Sequence, residues 1–274
     1  MKIAAIDGNT QWLDGGAMFG NCPKALWQKW HEPDSINRIH LACRSLLVQT
    51  DAGKNILFET GIGDFSLPKM KERYGIEPTG NRLLESLKHL GIAPHEIDQI
   101  VLSHLHFDHA GGLLKRTEKG LELLFPKASI FVGASHLERA ISPGLREQAS
   151  FIPELPPLLR DSGRLKLIEG ISHPELQDLV HFKVSDGHTP GLLVSEIETD
   201  QGLIVFCSDL IPGASWVHLP IVMGYDRFPE KTVEEKRAFY PEWKKRGALL
   251  FFTHDPVVAM AKLTVDDAGK YLAG

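Results

Sequence analysis

The segment Ser103-His104-Leu105-His106-Phe107-Asp108-His109-Ala110-Gly111-Gly112 constrains this chain more than any other. It follows the apolar run Ile100-Val101-Leu102 and places three histidines and an aspartate within six residues. Neutral imidazole nitrogens and carboxylate oxygens are the donors that Zn²⁺, Mn²⁺, Fe²⁺ and Co²⁺ accept. A strand that runs into a tight turn can aim His104 and His106 at one ion while Asp108 and His109 reach a neighbouring one. Ala110, Gly111 and Gly112 carry almost no side chain, which lets backbone pack closely behind the cluster. A loop that is histidine-rich by chance explains neither the density nor the small residues after it.

Three later segments repeat the design, each setting a metal-competent side chain just past an apolar run. Lys183-Val184 leads into Ser185-Asp186-Gly187-His188-Thr189-Pro190-Gly191, residues 203–207 lead into Ser208-Asp209, and residues 249–253 lead into His254-Asp255-Pro256. The ends of strands are where α/β architectures hold their sites. Alone, each of these residues reads as a turn or cap; beside the 104–109 run, they read as ligands.

Apolar runs bounded by turn residues predict strands at 45–50, 55–59, 99–103, 129–132, 193–198, 203–207 and 248–253. The polar stretches 51–54 and 199–202 are hairpin connections. Leu83, Leu84, Leu87 and Leu90 share one stripe of a helix over 82–90, which reads as core. A second helix is expected over 232–244, where Thr232 and Glu235 stand at capping-box spacing. The mixed-sign run Glu234-Glu235-Lys236-Arg237 reads as a solvated helix face. The proline-rich stretch 153–157 reads as an ordered crossing between two halves of one domain spanning 1–274. Hairpins mixed with strand–helix–strand units suggest two sheets sandwiched between helices.

Composition removes other classes. The chain has 274 residues, 43% of them apolar and 24% charged. A chain of that length buries about three quarters of its unfolded surface, so no disulfide or metal is needed merely to hold a core. Lys plus Arg number 30 against 35 Asp plus Glu, a net charge of −5. That balance argues against a nucleic-acid partner. Cys22, Cys43 and Cys207 show no CxxC spacing and read as reduced, which suits a cytoplasmic location. Asp7 comes too soon for a signal-peptide core, and no run approaches the roughly eighteen apolar residues of a membrane span. The expected partner is a small-molecule substrate, with no nucleic acid and no membrane; a homodimer is compatible with the apolar segments.

The HxHxDH run, the glycine-flanked His188, Asp209 after its strand and the late His254 resemble the metallo-β-lactamase superfamily. Phe58-Glu59-Thr60-Gly61-Ile62-Gly63-Asp64 resembles that family's early strand-end loop, so the likeness spans most of the chain. Asp14-Gly15-Gly16-Ala17-Met18-Phe19-Gly20 resembles the N-terminal segment of its N-acyl homoserine lactonase branch. The resemblance implies an αββα four-layer sandwich, two mixed β-sheets flanked by helices, with the site at one edge of the sheets. It puts His104, His106 and His188 on one metal, Asp108, His109 and His254 on a second, and Asp209 between them.

Seven ligands exceed what one tetrahedral ion uses and suit two ions about 3.5–4 Å apart. Zinc is the first expectation, with manganese, iron, cobalt or nickel also matching the donors. A hydroxide bridging the ions would attack an acyl or phosphoryl centre, with Asp108 or Asp209 relaying a proton to the leaving group. The expected reaction is hydrolysis of a lactone or ester. The alternatives are a phosphotriester, β-lactam or thioester bond, or a mononuclear iron dioxygenase on the same fold.

Two positions depart from the family. Pro212 stands where the lactonases carry a substrate-contacting tyrosine, three residues past the bridging aspartate. Glu59 stands where the early loop usually carries aspartate, and its longer carboxylate is expected to serve hydrogen bonding in that loop. On the substrate side, the apolar run from Trp216 to Tyr225, with Met18, Phe19 and Trp27, either walls an apolar pocket or packs as core. His218 is either a substrate-side donor or a structural imidazole. His136 is expected at the surface or in a helix cap, and His31 has no partner pattern.

Overall fold

The short apolar runs become strands of two six-stranded mixed sheets. The computed structural model describes residues 1–66, 68–176 and 179–274. They fall into two units, 1–11 with 42–170 and 12–41 with 171–274, each carrying one of the sheets.

In the first unit, β1 (Lys2–Ile6), β2 (Ser45–Gln49), β3 (Asn55–Phe58), β4 (Gln99–Val101), β5 (Ser129–Gly133) and β6 (Leu165–Ile168) lie side by side in chain order. The first three form an antiparallel meander, and β3 to β6 run parallel. Parallel neighbours need a crossover, and the helix Arg82–His89 lies on the β3–β4 connection. Its Leu83 and Leu87 are fully buried against Leu57, Ile100 and Ile130, a burial worth about 1.5–3 kcal/mol per leucine. The core stripe ends there. Leu90, expected in it, is the C-cap of the helix and is 52% exposed.

In the second unit, β7 (Val180–Ser185), β8 (Leu192–Thr199), β9 (Gly202–Phe206), β10 (Leu249–Phe251), β11 (Met260–Val265) and β12 (Tyr271–Ala273) again lie in chain order. All neighbours are antiparallel except β9 and β10. The helix Pro229–Lys245 makes the β9–β10 crossover and buries Tyr240 and Trp243 with Val194, Val205 and Leu250. Among the described residues, no helix is long and apolar enough to cross a membrane.

Three expectations are corrected. The second helix begins at Pro229 rather than Thr232, because proline presets φ for a first turn that needs no N–H partner. Thr232 and Glu235 therefore lie inside the helix and form no capping box. The run 234–237 is not wholly solvated either, since Glu235 is 9% exposed and Lys236 is fully buried. The stretch 153–157 is not the crossing between halves: Pro156 and Pro157 open the helix Leu155–Asp161, and the chain changes units at 170–171.

The glycines after the histidine run are required by close approach. A Cβ on Gly111 would lie 2.3 Å from the carbonyl oxygen of Ile62, and one on Gly112 would lie 1.9 Å from that of Thr60. Both obstacles are backbone and cannot swing aside. Gly112→Ala should therefore cost on the order of 3 kcal/mol of stability, read as a lowered denaturant midpoint; an unchanged midpoint would show that the turn does not dock this tightly.

Candidate metal centre

In the first unit, β4 delivers the histidine turn. Past Val101, Leu102 N–H still donates to Phe131 O (2.9 Å), and then Ser103 opens a turn that leads into the single helical turn Phe107–Ala110. Neighbouring β3 is followed at once by Glu59, whose φ is 63°. A left-handed backbone costs a non-glycine residue about 1–3 kcal/mol and persists only where its surroundings enforce it. Glu59 N–H donates to Val101 O and Thr60 N–H donates to His109 O (both 2.9 Å), which locks the two turns together.

That conformation sets a fully buried carboxylate among the histidines. Glu59 Oε1 accepts a hydrogen bond from the Ser103 hydroxyl, and Oε2 lies 2.8 Å from His109 Nδ1. Having given its proton to Glu59, the Ser103 oxygen accepts from His104 Nδ1–H at 2.9 Å. Both rings thus carry their proton on Nδ1, leaving Nε2 as a lone-pair donor. His104 Nε2 faces His106 Nδ1 at 3.0 Å, and His109 Nε2 lies 3.8 Å from Asp108 Oδ1. All four side chains are buried. Glu59, its oxygens occupied by Ser103 and His109, serves the loop hydrogen bonding expected of it.

In the second unit, Asp209 follows Ser208, whose φ is 45°, and sits between two imidazoles. Its Oδ2 is 3.1 Å from His188 Nε2 and its Oδ1 is 3.1 Å from His254 Nε2. His254 is positioned by its own N–H, which donates to Pro212 O (2.9 Å); the residue in the lactonase tyrosine's place therefore supplies a backbone acceptor. His188 is oriented from behind by Asp226 Oδ1, 3.0 Å from Nδ1. Asp226 is itself held by Thr232 Oγ1 and Met223 N–H, which donate to Oδ2.

The Pro229–Lys245 helix carries this loop. Glu235 accepts from Ser185 Oγ (2.6 Å), Asp186 N–H (2.8 Å) and Gly187 N–H (3.3 Å). Burial raises the Glu235 carboxyl above its ordinary pKa, and the three donors, which favour the ionised form, only partly offset that. The next residue is Lys236, whose Nζ donates to the carbonyls of Trp216 (3.1 Å), His218 (3.2 Å) and Ile221 (2.8 Å). Burial pulls its ammonium down to about 7.

The substrate-side candidates divide. Met18, Phe19 and Trp216 are at most 2% exposed and belong to the second unit's core, with Phe19 stacked on Trp216 at 4.3 Å, so the packing reading is the one they satisfy. Tyr225 is half-buried and packs against the same core. His218 is half-buried; burial first, then Lys270 and Lys236, lowers its pKa and favours the neutral ring. His136 is neither surface nor cap: it is fully buried, and its Nε2 accepts from the N–H of Leu105, the residue between His104 and His106 (2.8 Å). His31 is also buried, against Phe19 and Trp216. Sequence reasoning missed Asp226, Gln11 and Lys236, which carry no motif and whose roles depend on distant partners.

The donor set fits divalent cations. Each unit presents buried imidazole nitrogens beside a carboxylate, and the opposite ring nitrogens of His104, His109 and His188 are held by oxygen partners, the arrangement that sharpens histidine as a ligand. Residues 39–254 match the family model for the metallo-beta-lactamase superfamily. The chain belongs to this superfamily. Its mixed sheets and helices agree with the expected α/β sandwich.

An N-acyl homoserine lactonase of Bacillus thuringiensis subsp. kurstaki is 29% identical over 196 residues, covering 69% of this chain and 65% of that one. The chain thus spans less than two thirds of that superfamily relative. A probable metal-dependent hydrolase from Staphylococcus aureus is similar over 100% of this chain and 96% of its own, with a TM-score of 0.88 and 26% identity. A dizinc quorum-quenching lactonase shares the fold at 23% identity, with a TM-score of 0.77 over 99% of this chain and 94% of that one.

Asp226→Ala removes the acceptor that fixes the His188 ring. Metal affinity, measured by chelator competition, should fall about tenfold to hundredfold; unchanged affinity would mean that Asp226 does not orient the ring.

Proposed function

We propose that this chain is a metal-dependent hydrolase acting on a lactone or ester, its two units working as one metallo-β-lactamase-like domain over residues 1–274. In this reading His104, His106 and His188 hold one divalent cation, and Asp108, His109 and His254 hold a second. Asp209 is shared. The observation that carries the reading is Asp209 itself, a buried carboxylate with one oxygen turned to His188 and the other to His254. Membership of the superfamily supports the two-cation count, as does the dizinc lactonase of the same fold. Zinc is the first assignment, with manganese, iron, cobalt or nickel accepted by the same donors.

Bound divalent ions supply Lewis acidity, polarising a carbonyl oxygen and bringing the pKa of water towards 7. The rest falls to side chains. Glu59, Ser103 and Asp226 hold His104, His109 and His188 with their protons on Nδ1. Each of the seven side chains is buried, and electrostatic interactions are stronger in such surroundings than in water. Water adds its oxygen to the acyl carbon as the acyl–oxygen bond breaks, and the proton that water gives up passes by way of the carboxylate of Asp108 or Asp209 to the departing alkoxide.

The lactone and ester preference rests on likeness to the Bacillus thuringiensis lactonase and to the dizinc lactonase, whose structure holds the product N-hexanoyl-L-homoserine. A cytoplasmic location and a small-molecule substrate complete the proposal.

A panel of lactones and esters, assayed on protein of measured metal content, tests it. Turnover should vanish with a chelator and return with metal. Asp209→Ala should lose at least about a hundredfold in kcat/KM, on the scale of removing a principal electrostatic group. Full turnover by Asp209→Ala with two equivalents of metal bound would sink the assignment. Oxygen consumption without hydrolysis would replace it with the iron dioxygenase.

A further inference from the structure

Gln11 is fully buried in the first unit, and its side-chain amide donates to Asp108 Oδ2 at 2.6 Å. The chain around it leaves little freedom. A Cβ on Gly8 would lie 2.1 Å from Cys43 O, and Asn9 Nδ2 donates to Pro78 O and Gly80 O at 2.8 and 2.9 Å. Thr10 exchanges both backbone hydrogen bonds with Glu77. The amide has one workable orientation, because the reversed one would set an oxygen against a carboxylate.

That orientation is costly. Gln11 Oε1 is buried and has no hydrogen-bond partner among the described residues, and an unpaired buried acceptor costs about 1–3 kcal/mol. An apolar side chain of the same length would avoid that cost but would leave Asp108 Oδ2 without this donor. What the amide does is occupy one oxygen of Asp108. The other, Oδ1, is the one on the His109 side, 3.8 Å from Nε2, while His109 Nδ1 is held by Glu59. The His104–His106 pair is oriented separately, through Ser103.

We infer that Gln11 is a positioning residue selective for one of the two cation positions: it makes Asp108 a one-oxygen ligand through Oδ1 and sets the affinity of the Asp108–His109 position without touching the His104–His106 position. The inference rests on the two-cation reading above.

The test measures the binding of each zinc equivalent by chelator competition, for wild type, Gln11→Met and Gln11→Asn, alongside the denaturant midpoint of metal-free protein. Methionine keeps the length without the donor; asparagine keeps the donor but cannot reach, which covers a methionine variant that does not fold. One equivalent should keep its Kd within about twofold and the other should weaken about tenfold to hundredfold; a merely structural role would weaken both alike. In an Asp108→Asn background, Gln11→Met should have no further effect on either equivalent. Equal weakening of both equivalents with a lowered midpoint, no weakening of either, or additivity with Asp108→Asn would each overturn the inference. A wild-type protein that takes up only one equivalent would instead overturn the two-cation reading, a failure visible before any Gln11 variant is made.

Discussion

Which nitrogen of each imidazole carries its proton is the constraint on which the rest of the centre depends. A histidine is a ligand only through a nitrogen that has none, and a free ring chooses between two tautomers. Here the choice is made from behind. Glu59 accepts a hydrogen bond from His109 Nδ1–H, Ser103, itself bonded to Glu59, accepts from His104 Nδ1–H, and Asp226 accepts from His188 Nδ1–H. These partners are buried, so water does not compete for the same nitrogens. The metal-facing chemistry is prepared by residues that would not themselves touch a metal.

Setting those partners in place draws on the backbone. Glu59 holds a left-handed φ immediately after β3 and Ser208 holds one two residues past β9, each at or beside a carboxylate of the site, Glu59 or Asp209. Gly111 and Gly112 then let the helical turn behind the histidines settle onto the carbonyls of Ile62 and Thr60. In the second unit, Glu235 and Thr232 tie the His188 loop and Asp226 to the Pro229–Lys245 helix. Strain and close contact sit where donors must be held still.

Much of this was legible in the sequence. The seven strands read from apolar runs are all present, because β-rich aliphatic stretches between polar turns leave few alternatives. The ligand candidates were legible for a different reason: His104, His106, Asp108 and His109 are adjacent in the chain, so local spacing alone carries the chemistry. Asp226 and Gln11 were not legible, because their partners His188 and Asp108 are far away in sequence and a lone acid or amide has no pattern. Lys236 and Glu235 misled, since mixed charges on a helix usually face water and only tertiary contacts show them buried. The start of that helix was misplaced by three residues because Thr232 and Glu235 have the spacing of a cap but are spent on Asp226 and the 185–187 loop.

The segment 216–221 that follows Asp209 is held from inside by one amine, Lys236, which takes three of its main-chain oxygens. Beside the anchoring of Trp216 in the core, its path is thereby set by peptide groups rather than by the half-buried side chains it displays. Such a loop is a natural place for diversification: residues such as His218 and Leu219 can be exchanged, by evolution or in a library, while the curve that presents them is retained.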